Sequence, residues 1–305
     1  MSFEERLRAG RRLLSSAVES LWHGGFVAVG RLAPSRARPW RSSGTERVLV
    51  IAPHPDDEAI ACSGTILRHI DSGDKVLVAI ATDGRRSRMA RCPDEMALIR
   101  KDEAMEAGRR LGVTRLEWLG LPEGDWKTSE LQLPLTNLLR RELPTILYAP
   151  SRIDFHPEHF AVAHALARAL DAVSVKPCVR VYQVQVPLTP LLTNVVVDVA
   201  DEVERSFAAL EAYESQTGSI ECAYRRGRYG ARLHRTVGPV EEFWELTAEQ
   251  YSQIHRPPPG EWVDRFRGLR RFAWTDPLAY LIGNRARRRM RAIVEAEPAV
   301  RRSVS

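Results

Sequence analysis

The chain has 305 residues, of which 44% are hydrophobic and 28% charged, and its formal net charge at pH 7 is +6. This length suffices for one large or two small domains with a sizeable core, and the composition is that of an ordinary soluble globular protein. The four cysteines form no CxxC pair, and a chain of this size does not need disulfides, so we expect reduced thiols and a cytoplasmic location.

The stretch 13–32 is the best candidate for a membrane span. It is interrupted by Glu19, His23 and Gly24-Gly25, and so falls short of the ~20 apolar residues that a span requires. Glu19 also lies where a signal peptide would have its apolar centre, and no clear cleavage site follows. The sequence therefore predicts no transmembrane helix and argues against secretion.

Residues 1–33 are predicted to form one or two amphipathic helices, and 34–45, rich in Pro, Ser and Arg, a linker without periodicity. Strands and helices then alternate. The predicted strands cover 47–52, 75–81, 115–119 and 145–149. The helices after them cover 58–72, 95–111, 129–142 and 157–171.

The pattern changes after residue 171. Segments 179–186 and 194–199 read as β structure with no long helix between them, and a helix follows near 201–214. This order predicts an α/β fold, a Rossmann-like, mostly parallel sheet flanked by helices, with a small β-rich annex. We expect three regions: a helical extension and linker (1–45), the α/β domain (46–256) and a basic, helical tail (257–305).

Two clusters of polar side chains follow predicted strands. The strand at 47–52 runs into Pro-His-Pro-Asp-Asp-Glu, which contains His54, Asp56 and Asp57; the strand at 145–149 is followed by Asp-Phe-His-Pro-Glu-His at 154–159. Ligands of open α/β sheets bind beyond the carboxyl ends of the strands. Either cluster alone could be a solvated turn or a helix surface, but together they predict one mononuclear metal site.

The residue types suit zinc, which in catalytic sites takes three nitrogen or oxygen ligands from the protein. His54 and Asp57 are three residues apart on a turn that enters a helix, and His159 lies in the first turn of another. These three are the predicted metal ligands. Asp56, beside them, is the predicted general base, and we expect Asp154 to hold the imidazole of His156 in its useful tautomer.

The two clusters, in this order, resemble those of the LmbE/PIG-L family of zinc-dependent N-deacetylases. The resemblance covers about residues 46–247 and includes Thr82-Asp83-Gly84, Arg100-Lys-Asp-Glu103, the segment 208–216 and Glu241-Glu-Phe243. It implies a hydrolase that removes the N-acetyl group from an N-acetylglucosamine-type conjugate, such as a glycolipid, a thiol precursor or a natural-product glycoside.

The resemblance also implies roles for the two histidines. It makes His159 a metal ligand and His156 a catalytic residue, which in its protonated form would stabilise the oxyanion. Zn²⁺ is the implied cofactor, although Mn, Fe and Co accept similar ligands. Glu158 stands where Asp is commoner in the family, a change expected to be tolerated if this side chain does not bind the metal.

Other interpretations concern binding rather than catalysis. A nucleotide-binding protein on this fold would carry G-x-G-x-x-G after the first strand, which is absent, and the sequence contains no nucleic-acid-binding motif. The ends, 1–33 and 260–291, place Arg beside Leu, Phe and Trp, so they either lie on an anionic membrane or pack on the domain. The expected partner is a small-molecule or lipid-linked amino sugar. Arg85, Arg86 and Ser87 are candidates to contact it, whereas Arg100 and Glu103 are expected to pair within their helix.

Overall fold

The structure is a computed structural model that describes residues 20–28, 31, 37–87, 92–154, 156–256 and 284–296. Residues 20–28 are helical, as predicted. The rest of the predicted N-terminal helices and most of the basic tail lie outside the described residues. Among the described residues, no helix combines the length and the apolar character that crossing a bilayer requires.

Eight strands of the described residues form one sheet, in the order β1-β7-β8-β6-β5-β2-β3-β4. Their bounds are β1 Arg38–Pro39, β2 Arg47–Ala52, β3 Lys75–Thr82, β4 Arg115–Leu121, β5 Ile146–Ala149, β6 Cys178–Val181, β7 Val195–Asp198 and β8 Val240–Leu246. Strands β4, β3, β2, β5 and β6 pair in parallel, β7 is parallel to β1, and β8 is antiparallel to β6 and β7. The predicted mostly parallel α/β sheet is confirmed.

In addition to the helical residues 20–28, nine α-helices of the described residues lie around this sheet. They are α1 Asp57–Asp71, α2 Pro93–Leu111, α3 Thr128–Glu142, α4 Pro157–Asp171, α5 Thr189–Leu192, α6 Val203–Leu210, α7 Thr217–His234, α8 Ala248–His255 and α9 Asn284–Glu295. Helix α2 ends as predicted at Gly112, whose φ of 79° lies in the left-handed region that glycine adopts without strain.

Strand β2 is buried on both faces. Leu49 and Ile51 belong to one hydrophobic cluster, together with residues of α3, α4 and α8, and Val48 and Val50 belong to a second, together with residues of α1, α2 and α6. Successive side chains of a strand point to opposite faces, so a strand between two helical layers has to be apolar throughout. The continuous apolar run before His54 follows from this position.

The annex differs most from the prediction. The predicted strands at 179–186 and 194–199 end sooner, and the unpredicted β8 lies between them. Its sequence, Val-Glu-Glu-Phe-Trp-Glu-Leu, contains three glutamates and therefore does not read as a strand in the interior of a sheet. Two of these are used internally: Glu241 accepts hydrogen bonds from the amides of Gly64 and Thr65 (2.9 and 2.8 Å), and Glu242 contacts His234 at 2.7 Å. Helices α7 and α8 were not predicted either.

The predicted linker at 34–45 also contributes to the sheet. Arg38 and Pro39 pair with β7, and the ring of Trp40 lies 4.0 Å from the guanidinium of Arg180. Arg180 is buried and donates to the hydroxyl of Tyr148 (2.8 Å). A strand of two residues at the edge of a sheet is too short to show the alternation of apolar and polar residues by which a strand is recognised in a sequence.

Close packing of α1 against the annex leads to a stability prediction. A Cβ at Gly64 would lie 2.5 Å from Val199 Cγ1. Overpacking of this kind costs about 1–3 kcal/mol, and the better helix propensity of alanine returns at most about 1 kcal/mol. We expect Gly64→Ala to lower the free energy of unfolding by about 1 kcal/mol or more.

Denaturant unfolding of Gly64→Ala, Val199→Ala and the double variant measures this effect. The double variant should lose less stability than the sum of the two single variants, since the smaller side chain removes the clash. A Gly64→Ala protein as stable as the wild type would contradict the close approach of α1 to residue 199.

Candidate active site

The two predicted clusters meet at one place in the sheet. The chain leaves β2 in the direction of β3 and β4 and later returns to form β5 on the other side of β2. This reversal creates the crevice in which open α/β sheets bind their ligands. The turn after β2 leads into α1 and the turn after β5 leads into α4, so both clusters stand at the carboxyl ends of adjacent parallel strands.

The turn after β2 is strained. Asp56, immediately before α1, has a φ of 129°, a conformation that costs a non-glycine residue roughly 1–3 kcal/mol. The turn is held by the amide of His54, which donates to Asp57 Oδ2 at 2.9 Å, and by the amide of Asp56, which donates to Glu58 Oε2 at 3.2 Å. These hydrogen bonds offset the strain and hold the side chains of Asp57 and Glu58 against the turn.

Three donor atoms form a nearly equilateral triangle. His54 Nδ1, Asp57 Oδ2 and His159 Nε2 lie 3.2 Å apart in each of the three pairs. In a tetrahedral site with zinc–ligand bonds of 2.0–2.1 Å, ligand atoms lie about 3.3 Å apart. The residues present therefore fit a bound divalent metal ion in the composition and in the spacing of their donor atoms.

Other side chains offer donors nearby. Besides the triangle, the described residues contain two further groups whose donor atoms all lie within 4.8 Å of one another: His54 with His156 and His159, and His54 with Glu123, His156 and Glu158. His54 is common to both groups and to the triangle. His156 is thus close enough to compete with Asp57 as a ligand.

Asp154 does not contact the imidazole of His156, contrary to the prediction. Its Oδ2 lies 2.9 Å from His159 Nδ1, and its Oδ1 accepts a hydrogen bond from the backbone amide of His156 (2.9 Å). Asp154 therefore orients His159 and leaves His159 Nε2 directed toward Asp57. The reason is local: His159 lies in the first turn of α4, which brings its ring back over the residues before the helix.

Buried opposite charges set the pKa values of the triangle. Burial acts to lower the pKa of His54, but the carboxylates of Asp57 and Glu158 raise it to about 9. Burial likewise opposes the charge of His159, whose pKa is nonetheless raised well above its ordinary value by Asp57 and Asp154. Asp57 is held well below its usual pKa range by the two imidazoles, despite the opposing effect of burial.

Asp56 is a carboxyl group with an unusual environment. Burial raises its pKa to about 7, against the lowering effect of the Arg100 guanidinium, whose Nη2 lies 3.2 Å from Asp56 Oδ1. Arg100 also donates to the carbonyl of Pro55 and lies 3.6 Å from Glu103. The predicted pairing of Arg100 with Glu103 is present, but Arg100 also contacts Asp56 and lines the cleft.

The segment 208–216, far along the chain, supports the turn after β2. Tyr213 donates a hydrogen bond to Glu58, which in turn accepts from the amide of Asp56. Ser215 is held by Glu103 through its amide and its hydroxyl, both at 2.7 Å. The segment 208–216 thus braces α1 and α2 beneath the cleft.

Glu158 lies closer to the site than the sequence suggested. Its Oε2 is 2.6 Å from His54 Nε2, and its Oε1 accepts from the amide of Gly124 (2.6 Å) and from Trp126 Nε1 (2.7 Å). Burial would raise the pKa of Glu158, but these hydrogen bonds lower it to about 2. The side chain is outside the triangle but directly contacts one of its members.

The triangle opens into a cleft of about 770 Å³. Three buried atoms of its lining residues have no hydrogen-bond partner within the described part of the chain: Arg100 Nε, His156 Nδ1 and Gln185 Oε1. Burial lowers the pKa of His156 to about 3, which disfavours the imidazolium that the resemblance implies. Unpaired polar atoms facing a cleft are available to a ligand.

Sequence reasoning missed part of this wall. Gln185, Glu123 and Trp126 line the cleft, as do the predicted Arg86 and Ser87, whereas Arg85 pairs with Asp83. One signal was present: the loop with Glu123 and Trp126 follows β4, the third parallel strand, and so emerges at the same edge of the sheet as both clusters. Gln185 follows β6 at this edge too, but its segment resembled a continuing strand.

Comparison with known proteins agrees with this geometry. Residues 49–170 match the model of the PIG-L family, described as GlcNAc-PI de-N-acetylase. Diacetylchitobiose deacetylase of Thermococcus kodakarensis is 30% identical over 194 residues, which are 56% of this chain and 70% of that protein. A probable N-acetyl-alpha-D-glucosaminyl L-malate deacetylase 2 of Bacillus cereus is 29% identical over 191 residues, 57% of this chain and 84% of that protein.

A solved structure shows the same fold. N,N'-diacetylchitobiose deacetylase from Pyrococcus horikoshii superimposes with a TM-score of 0.58 and 25% sequence identity, covering 67% of this chain and 85% of the other. The match covers 70% of the Thermococcus relative and includes the turns after β2 and β5, which is enough to assign the chain. The chain belongs to the PIG-L family of de-N-acetylases.

Proposed function

We propose that the protein is a metal-dependent deacetylase that removes the N-acetyl group from an N-acetylglucosamine-type conjugate. The observation that carries this proposal is the triangle of His54, Asp57 and His159 beside an unligated, buried Asp56, in a chain whose relatives are named as deacetylases of such substrates. A binding protein without hydrolase activity is the less favoured alternative, because binding alone gives no reason to bury Asp56 with a pKa near neutrality.

His54, Asp57 and His159 would hold the ion, and we propose zinc, since two imidazoles and one carboxylate are a usual catalytic zinc set. When bound, such an ion polarises a carbonyl group and makes water more acidic. Asp154 keeps His159 in the tautomer whose Nε2 lone pair faces the triangle.

Asp56 is the proposed general base and acid. A pKa of about 7 lets its carboxylate accept a proton from the attacking water and return it to the departing amine. Water adds to the acetyl carbon, the C–N bond breaks, and acetate and the free amine leave. Arg100 fixes the carboxylate through Oδ1, which leaves its other oxygen for proton transfer.

His156 is the proposed donor to the acetyl oxygen as negative charge develops there. Its ring is neutral, so the N–H group provides this hydrogen bond without an imidazolium charge. The imidazole faces the cleft, and its Nδ1 has no partner among the described residues. The proposed role thus differs from that of the protonated His156 that the resemblance implies.

The amino-sugar substrate is inferred from the relatives and from the cleft. A volume of about 770 Å³ with walls of Arg, Ser, Gln, Glu and Trp side chains suits a sugar and part of its aglycone. The relatives are named for diacetylchitobiose and for GlcNAc-malate. A glycolipid, a thiol precursor and a natural-product glycoside remain the candidate classes.

The ligand assignment predicts a specific pattern of metal contents. The wild type should retain about one divalent metal ion per chain, whereas His54→Ala and His159→Ala should each lose most of it, because each removes one of three ligands. His156→Ala is the matched control and should retain the metal. Elemental analysis after gel filtration measures the contents, with circular dichroism as the check on folding. Loss of metal from His156→Ala with retention in His159→Ala would mean that the two histidines have exchanged roles.

The catalytic assignment predicts which variant loses only turnover. Metal-loaded wild type should release acetate from at least one member of a panel of N-acetylglucosaminyl compounds. Asp56→Asn should bind the metal normally and lose about 10²–10⁴-fold in kcat, because an amide cannot accept the proton. Asp125→Asn, in the neighbouring loop, serves as the control. A kcat for Asp56→Asn within a few-fold of the wild type would exclude Asp56 as the base.

We also propose that the protein contacts anionic membranes through its basic C-terminal helix. Helix α9 buries Ala286, Arg287 and Met290 against the domain and exposes Arg285 and Arg288. The apolar residues of this helix pack against the domain, so the helix presents positive charge to a bilayer but no apolar face that could insert. The sequence had suggested both kinds of contact. Each exposed arginine near an anionic surface contributes about 1 kcal/mol.

Flotation with anionic liposomes tests this contact. The wild type should float at low salt and not at high salt, since salt screens the attraction. Arg285→Glu/Arg288→Glu should not float, whereas Lys75→Glu/Arg232→Glu, with the same change in charge elsewhere, should. Absence of flotation at low salt would indicate a diffusible substrate.

A further inference from the structure

The carboxylate of Glu158 joins two parts of the site that are distant in sequence. One oxygen, Oε2, lies 2.6 Å from Nε2 of His54, and the other, Oε1, accepts hydrogen bonds from the amide of Gly124 and the indole of Trp126 at 2.6 and 2.7 Å. All three partners are nitrogen atoms that can donate a hydrogen. Glu158 therefore holds the loop after β4 and a member of the triangle at the same time.

The contact with His54 determines which nitrogen of that ring is free. When Nε2 carries the hydrogen and donates it to Glu158, Nδ1 keeps its lone pair. Nδ1 is the atom of the triangle, 3.2 Å from both Asp57 Oδ2 and His159 Nε2. A carboxylate behind a ligating imidazole in this way fixes the ring and strengthens it as a ligand.

The loop is shaped to supply its two donors. Gly124 has a φ of 78°, and a Cβ at this position would lie 1.9 Å from Cζ of Arg86. Only glycine can therefore present its amide to Glu158 while Arg86 lies over the loop and donates to the Gly124 carbonyl (3.1 Å). Trp126 and Gly124 both line the cleft, so the same loop forms part of the substrate wall.

We propose that Glu158 is a positioning residue that couples this loop to His54, so that metal affinity depends on Trp126, a residue outside the triangle. The inference rests on the proposed function, because it takes His54 as a ligand. With the loop in place, two donors hold the carboxylate against the imidazole. Without them, the carboxylate can turn away and His54 loses its fixed orientation.

The experiment measures zinc dissociation constants of metal-free protein by competition with a chromophoric chelator. Glu158→Gln should weaken zinc binding by about 10–100-fold, the usual effect of losing the partner behind a ligand. Trp126→Phe keeps the ring and removes only the indole N–H; it should weaken binding by about fivefold, the value of one hydrogen bond. Trp118→Phe, which removes an indole N–H elsewhere, should leave the dissociation constant unchanged.

The outcomes separate this inference from the proposed function. If His54→Ala retains zinc, the ligand assignment itself is wrong. If His54→Ala loses zinc while Glu158→Gln and Trp126→Phe bind it as tightly as the wild type, only the coupling is wrong. Should Glu158→Gln fail to fold, Trp126→Phe against Trp118→Phe decides the matter alone.

Discussion

Everything in the site depends on the parallel pairing of β2 with β5. Val48, Leu49 and Val50 lie opposite Ile146, Leu147 and Tyr148, and this register brings the ends of the two strands to the same level. His54 and His159 are 105 residues apart in the chain, yet their ring nitrogens lie 3.2 Å apart. A slip of two residues along the strand would separate them by about 7 Å, at roughly 3.3 Å per residue. The apolar faces of β2 exclude such a slip by their fit to the helices on both sides.

The second constraint is electrostatic. The site brings together five buried ionisable side chains: His54, Asp56, Asp57, Glu58 and His159. Isolated buried charges are costly unless paired and hydrogen-bonded. The fold meets this requirement by assigning each group a partner from another element: Arg100 from α2, Tyr213 from the segment before α7, Asp154 from the turn after β5. The segments that resembled the family outside the two clusters are largely these partners.

The sequence was informative wherever a local pattern determines a structure. An apolar run that ends at Pro53 predicted β2, and alternation of strands and helices predicted the parallel sheet. The strand ends then located the cluster of His54, Asp56, Asp57 and His159. The sequence was less informative about β8. Glu241 and Glu242 have their partners in α1 and α7, and because the sequence does not show these contacts, the two glutamates look like surface residues. The contacts of Asp154 and Glu158 could not be predicted from the sequence either. The contact of Asp154 depends on the direction of the His159 side chain at a helix start, and that of Glu158 depends on a loop 34 residues away.

The buried guanidinium of Arg287 connects helix α9 to the segment that follows β6. Its Nε and Nη2 donate to the carbonyl of Pro187 at 2.9 and 2.6 Å, two residues after Gln185 on the cleft wall. The region that matches the family model, 49–170, contains the turns after β2 and β5 and ends before Gln185. Helix α9 therefore fastens a segment next to Gln185, a part of the cleft wall that lies outside the family match. Substitutions in this helix can thus change the cleft near Gln185 without altering any residue of the region that matches the family model.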